Sequence, residues 1–191
     1  MNTATDNSTP TPDLARYQVT GYTPGAGAVK RLLWYFINAL VFDSPLFPVY
    51  GFKRWLLRVF GARIGTGVVI KPNVNIKYPW RLSIDRHSWI GEGAWIDNLA
   101  DVSIAANVCV SQGAYLLTGN HDYKSVHFTL ITRPIVLQEG VWVSAKAIVC
   151  PGVAMARNSI LTVGSVLTSA TEPNGIYVGN PAKWVKARQI G

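Results

Sequence analysis

Cysteine is nearly absent from this chain. Of 191 residues only Cys109 and Cys150 carry a thiol, and no CxxC pair occurs. A disulfide framework and a cysteine-built metal site are therefore excluded as organising devices. Two isolated thiols read as small core side chains in a reducing compartment. Charge is scarce too, at 15 % Asp, Glu, Lys and Arg, and the acids are the scarcer kind: 10 against 18 bases, for a formal net charge of +8. The bases are scattered, with no basic helix and no RNA-recognition motif, so nucleic acid is not the expected partner. A phosphate-bearing cofactor, another anionic partner or a membrane surface suits the excess better. The apolar run 32–42 falls short of the roughly 20 residues that cross a bilayer. No basic n-region precedes an apolar stretch at the start, so no secretory signal is expected. The expected location is the cytoplasm or, peripherally, the inner face of the membrane.

What the chain has instead is a period of six. Aliphatic anchors recur at Ile64, Ile70, Ile76, Ile84, Ile90, Ile96, Ile104, Val110 and Leu116. They resume at Leu137, Val143, Val149, Met155, Leu161 and Leu167. Four residues after most anchors stands a small or aliphatic residue, as at Val68, Val74, Ala94, Val108, Ala114, Val141, Ala147 and Val153. A helix repeats near 3.6 and a strand near 2, so neither alone fits. A short strand plus a turn, repeated, does fit, and hexads of this kind mark the parallel β-helix. Three hexads close one triangular coil, and coils stack about 4.8 Å apart. The expected fold is all-β: a left-handed parallel β-helix of five coils, at 64–81, 82–102, 103–120, 137–154 and 155–170.

Four regions follow from this frame. Residues 1–28, rich in Thr, Pro, Gly and Asn, are expected to be disordered or an extended strap. Residues 29–61 form an apolar and amphipathic helical arm, broken around Pro45 and Pro48. On its second helix Phe52, Trp55, Leu56, Val59 and Phe60 share one face, with Lys53, Arg54 and Arg58 mostly on the other. Such an arm either caps the open end of the solenoid or lies in a membrane interface. Residues 62–170 are the β-helix, interrupted by an excursion at 117–136, and 171–191 are a short tail.

A solenoid is a scaffold, so chemistry is expected where its repeat breaks. The excursion opens with Thr118-Gly119-Asn120-His121-Asp122, which puts His121 at an outward corner five residues after Leu116. Histidine is the side chain best suited to exchange a proton near neutrality. The hexads, the TGNHD segment, the renewed hexads and the GNPAKWVKAR stretch at 179–188 together resemble the hexapeptide-repeat acyltransferases. The segments YPWRLSI, WIGEGAWIDNLADV and SQGAYLLTGNHDYKS are most similar to the colanic acid biosynthesis type of acetyltransferase. The resemblance covers about 45–188.

That resemblance implies a homotrimer holding acetyl-CoA as co-substrate, with no metal, in the groove between neighbouring β-helices. It implies that His121 is the general base for O-acetylation of a sugar, small or lipid-linked, in exopolysaccharide assembly. Residue by residue, it implies acceptor contacts at Asp97 and Asn98. It implies cofactor contacts at Trp142, Ala145 and Gly164, with Lys183 and Lys186 meeting the CoA phosphates. The chain departs from the pattern where glycine commonly follows the anchor (Asp85, Ala105, Ser144, Ala156, Thr162). It departs again at Ser169 and Gly91, where relatives carry Lys and Asn. Two other classes compete. A carbonic-anhydrase-like metalloenzyme would use converging histidines, though His87, His121 and His127 lack the spacing. A non-catalytic, membrane-associated β-helix would use the arm alone.

Overall fold

The computed structural model describes residues 10–191; residues 1–9, part of the stretch expected to be disordered or extended, lie outside the described residues. The hexads fold as short strands on three parallel faces, five coils deep. The first face stacks Arg63–Ile64, Leu82–Ile84, Val102–Ile104, Ile135–Leu137 and Ala154–Met155. The second stacks Val69–Ile70, Trp89–Ile90, Cys109–Val110, Trp142–Val143 and Ile160–Leu161. The third stacks Asn75–Ile76, Trp95–Asp97, Tyr115–Leu117, Ile148–Val149 and Val166–Leu167. Register is in phase: Ile70 pairs with Ile90, Ile96 with Leu116, and Val143 with both Val110 and Leu161.

In-phase pairing puts every anchor in one interior column, and none is more than 8 % exposed. The companion column of small residues is buried as well. At Ser88, where that column carries a serine, the hydroxyl is bonded to backbone. Ser88 donates to the Ala105 carbonyl at 2.7 Å and accepts from the Val108 amide at 3.0 Å. A buried hydroxyl so satisfied costs little.

The tail is more structured than its sequence suggests. Gly175–Gly179 adds a sixth strand to the second face, parallel to Ile160–Leu161, and Ala182–Ala187 folds back antiparallel to it. The segment GIYVG has no hexad period, which is why the pattern stops one strand early. At the other end lie two ten-residue helices, α1 (Ala28–Ile37) and α2 (Tyr50–Val59), with a π-helical turn at Asn38–Phe42 between them.

The arm satisfies the free edge of the first coil. Lys53 donates to the Lys71 carbonyl at 3.0 Å, Arg54 to Val68 at 2.8 Å, and Arg58 to Ile64 at 2.7 and 3.0 Å. Trp34 donates to the Ile76 carbonyl at 2.7 Å, and Asn38 accepts from the Ile76 amide at 3.0 Å. An uncapped sheet edge invites pairing with another chain, and these contacts remove it. They also set the orientation of α2. Lys53 is buried and Arg54 and Arg58 reach back to the rim carbonyls, while Phe52, Trp55 and Val59 face solvent. The coil offers a floor of carbonyls at its rim, so the polar stripe packs there, with Leu56 and Leu57 covering the apolar centre.

Candidate active site

The site is built upward from Thr118, which stands between the last coil strand and the hairpin that breaks the repeat. Thr118 is fully buried. Its hydroxyl donates to the Asp97 carbonyl at 2.7 Å and accepts from the Ala100 amide at 3.0 Å. Its own carbonyl takes the Arg133 amide at 3.0 Å. One residue thus ties the second coil to both ends of the excursion. Between those ends the chain forms a β-hairpin, Gly119–His121 against Leu130–Thr132, with His121 opposite Leu130.

His121 is half-buried at the end of the first hairpin strand. Its Nδ1 lies 2.9 Å from the Phe128 carbonyl oxygen. A carbonyl can only accept, so in the neutral ring Nδ1 carries the hydrogen and Nε2 keeps its lone pair. The Phe128 ring stacks on the imidazole at 4.3 Å between centroids and 8° between planes. Phe128 has φ of +46°, a left-handed conformation that costs a bulky residue about 1 kcal/mol or more. That conformation aims its carbonyl at Nδ1.

The strap 10–27 reaches this corner. The Asp13 amide donates to the Val126 carbonyl at 2.9 Å, His127 Nδ1 to Arg16 at 3.1 Å, and the Tyr17 ring stands 5.8 Å from that of His121. Farther along, Trp80 and Arg81 donate to the carbonyls of Pro24 and Thr23 at 2.7 and 2.6 Å. Tyr17, Thr118 and Phe128 were not singled out from sequence; only the position of Thr118 at the last hexad before the break could have marked it.

Asp97 and Asn98 sit one coil from the hairpin, on the third face and its corner, and differ in what they offer. Asp97 pairs with Lys77 at 3.0 Å and accepts from the Tyr115 hydroxyl at 3.3 Å. Burial, then the nearby carboxylate, pushes the Tyr115 phenol up to about 12. Asn98 is fully buried and clamps one turn: its oxygen takes the Tyr78 amide at 2.9 Å and its NH₂ donates to the Tyr78 carbonyl at 2.6 Å. Both ends of that amide are spent on the fold.

Of the residues expected at the cofactor, Trp142, Ala145 and Lys186 border hollows elsewhere, on the second face, while Gly164 and Lys183 line neither. Trp142 and Ala145 line a hollow of about 440 Å³ with Ser111, Thr162 and Val163. Trp142 also borders a second hollow of about 700 Å³, shared with Ile160, Ile176, Lys186 and Arg188. The Trp142 indole N–H donates to Ser111 at 2.9 Å, which fixes the ring. Gly164, with φ of +66°, donates to the Ala145 carbonyl at 3.0 Å. Lys183 is exposed on the same strand as Lys186 but lines neither hollow. The lining is apolar around Trp142, Ile160 and Val163 and basic at Lys186 and Arg188. Among the described residues no three or more His, Cys, Asp or Glu side chains converge to hold a metal ion.

The chain is 35 % identical over 176 residues to the colanic acid biosynthesis acetyltransferase designated WcaF of Escherichia coli (strain K12); the match covers 92 % of this chain and 97 % of that protein. The chain belongs to the hexapeptide-repeat acetyltransferases. This acetyltransferase is also 25 % identical over 137 residues to galactoside O-acetyltransferase of the same organism, covering 70 % of the chain and 68 % of that protein. Among solved structures it is similar to a hexapeptide-repeat-containing acetyltransferase of Vibrio cholerae O1 biovar eltor complexed with acetyl coenzyme A. The TM-score is 0.78 at 18 % identity, over 87 % of this chain and 92 % of the other. No protein-family model matches the chain.

Proposed function

We propose that this acetyltransferase moves the acetyl group of acetyl-CoA to a sugar hydroxyl in the assembly of a colanic-acid-like exopolysaccharide, with a small or lipid-linked acceptor. The observation that carries the reading is the Nδ1 contact of His121 with the Phe128 carbonyl, which leaves Nε2 free to accept a proton. Nε2 takes the proton of the acceptor hydroxyl, and the oxygen attacks the thioester carbonyl carbon. The C–S bond then breaks, and the imidazolium returns its proton to the departing CoA thiolate. Backbone N–H groups of the groove would stabilise the oxyanion, a contribution worth about 3 kcal/mol per donor in other acyl-transfer enzymes.

A homotrimer completes the reading. His121 follows the third face and the groove lies on the second, so one chain turns them in different directions. A cyclic trimer of parallel solenoids brings the corner of one copy to the groove of the next. Asp97, held by Lys77 and Tyr115, is then the acceptor-side carboxylate; Asn98 supports the turn beside it. Lys186, and Lys183 beyond it, meet the phosphates. The proposed workplace is the cytoplasm, at the inner face of the membrane.

His121→Ala tests the base. Turnover of acetyl-CoA with acceptor falls about a hundredfold or more, while calorimetry still shows acetyl-CoA binding. Turnover within a few-fold of the parent would assign the proton to another group.

A further inference from the structure

We propose that the outward face of the N-terminal arm docks on the surface of an anionic lipid bilayer. The first observation is the inversion of α2. Capping consumes its basic side chains on the carbonyls of the first coil, and its aromatic side faces water. On α1 too the large apolar side chains face outward, and Trp34 alone is buried. Leu32, Tyr35, Phe36, Leu40, Trp55 and Val59 are each between 54 and 70 % exposed. Large apolar side chains concentrated on two short helices exceed the scattered exposure normal for a soluble surface.

The second observation is charge. Residues 25–64 hold six bases and a single acid, Asp43. None of those bases is in a salt bridge among the described residues. Lys53, Arg54 and Arg58 are held on the rim carbonyls, which leaves Lys30, Arg31 and Arg63 against Asp43, an excess of positive charge that favours an anionic surface. Aromatic rings beside bases are the composition of segments that lie at the headgroup level. Spanning is excluded for these elements: no described helix is long and apolar enough to cross a membrane.

Geometry supplies the third observation. Both helices bond to the rim of the first coil, so their outer sides cover the end of the solenoid. In the trimer proposed above, three parallel solenoids would present three such ends in one plane. The His121 hairpin leaves the third coil, about 10 Å along the axis from the first at about 4.8 Å per step. A lipid-linked sugar would thus meet the base two coils and one helix layer, roughly 20 Å, from the headgroups. The docking face itself does not depend on the acetyl-transfer reading, because lipid binding is measured without turnover.

The experiment is co-sedimentation of the full chain with vesicles of phosphatidylcholine, alone and mixed with phosphatidylglycerol. The chain pellets with the mixed vesicles, less with phosphatidylcholine alone and less at high salt. A Leu40→Glu, Trp55→Glu double variant partitions about tenfold more weakly, with acetyl-CoA binding and oligomer mass unchanged. Trp55→Ser alone gives a smaller loss in the same direction and guards against misfolding of the double variant. A full chain that stays in the supernatant with both vesicle types overturns the proposal. So does a double variant that keeps vesicle binding but loses oligomer mass, which would give this face to a second copy of the chain.

Discussion

The solenoid and the hairpin that interrupts it are held together by opposite means. In the coils the core contacts are repeated: an aliphatic anchor meets the anchors above and below, and strand amides find carbonyls on the neighbouring coil. In the hairpin each contact occurs once. Thr118 ties its base, Phe128 bends backward to offer one carbonyl, and His121 alone receives it. Repetition makes the body stable and chemically uniform. Uniqueness makes the hairpin strained and chemically specific, which is what the proton transfer proposed for His121 requires.

Variants can push on either side of this contrast. The largest effect on stability is expected in the body. Leu116→Ala empties part of the fully buried column between Ile96 and Val149 and should cost about 2–5 kcal/mol in denaturant unfolding. A loss under about 1 kcal/mol would mean that the column is not close-packed there.

At the capped rim of the body the expected effect is one of pH. Lys53 is fully buried, and burial pushes its ammonium down from 10.5 to about 8. Between those two values the unfolded chain keeps this proton and the folded chain has released it. Stability should therefore rise with pH across that window, by up to about 3 kcal/mol. Lys53→Met should flatten the rise in thermal melts; an unchanged rise would place its cause elsewhere.

The smallest effect on stability, and the most informative, is expected in the hairpin. Phe128→Gly removes the left-handed strain and also the ring stacked on His121. Stability should hold or gain a few tenths of a kcal/mol, while turnover falls several-fold because the imidazole is less fixed. Loss of both together would erase the distinction drawn between body and hairpin.

The body was legible because its order is periodic. Fifteen anchors read in sixes are the fifteen that point inward, and the break after Leu116 is where the polypeptide leaves the prism. What escaped was aperiodic or depended on a surface that the segment itself does not encode. The apolar and basic stripes of α2 were visible, but not which of them packs, because the carbonyl rim that attracts Lys53, Arg54 and Arg58 belongs to residues 64–71. Asn98 looked like a ligand group because a buried amide clamp and a free amide are written with the same letter. The pairing of Gly119–His121 with Leu130–Thr132 shows no alternation that sequence could reveal.

The central claim is that His121 of one copy serves the second-face groove of another, and mixing two defective chains tests it most directly. His121→Ala lacks the base; Ala145→Trp fills the hollow beside Trp142. Each should be inactive alone, and co-expressed chains should form mixed trimers with acetyl-transfer activity that neither parent has. A mixed assembly no more active than its parents would contradict a site shared between subunits.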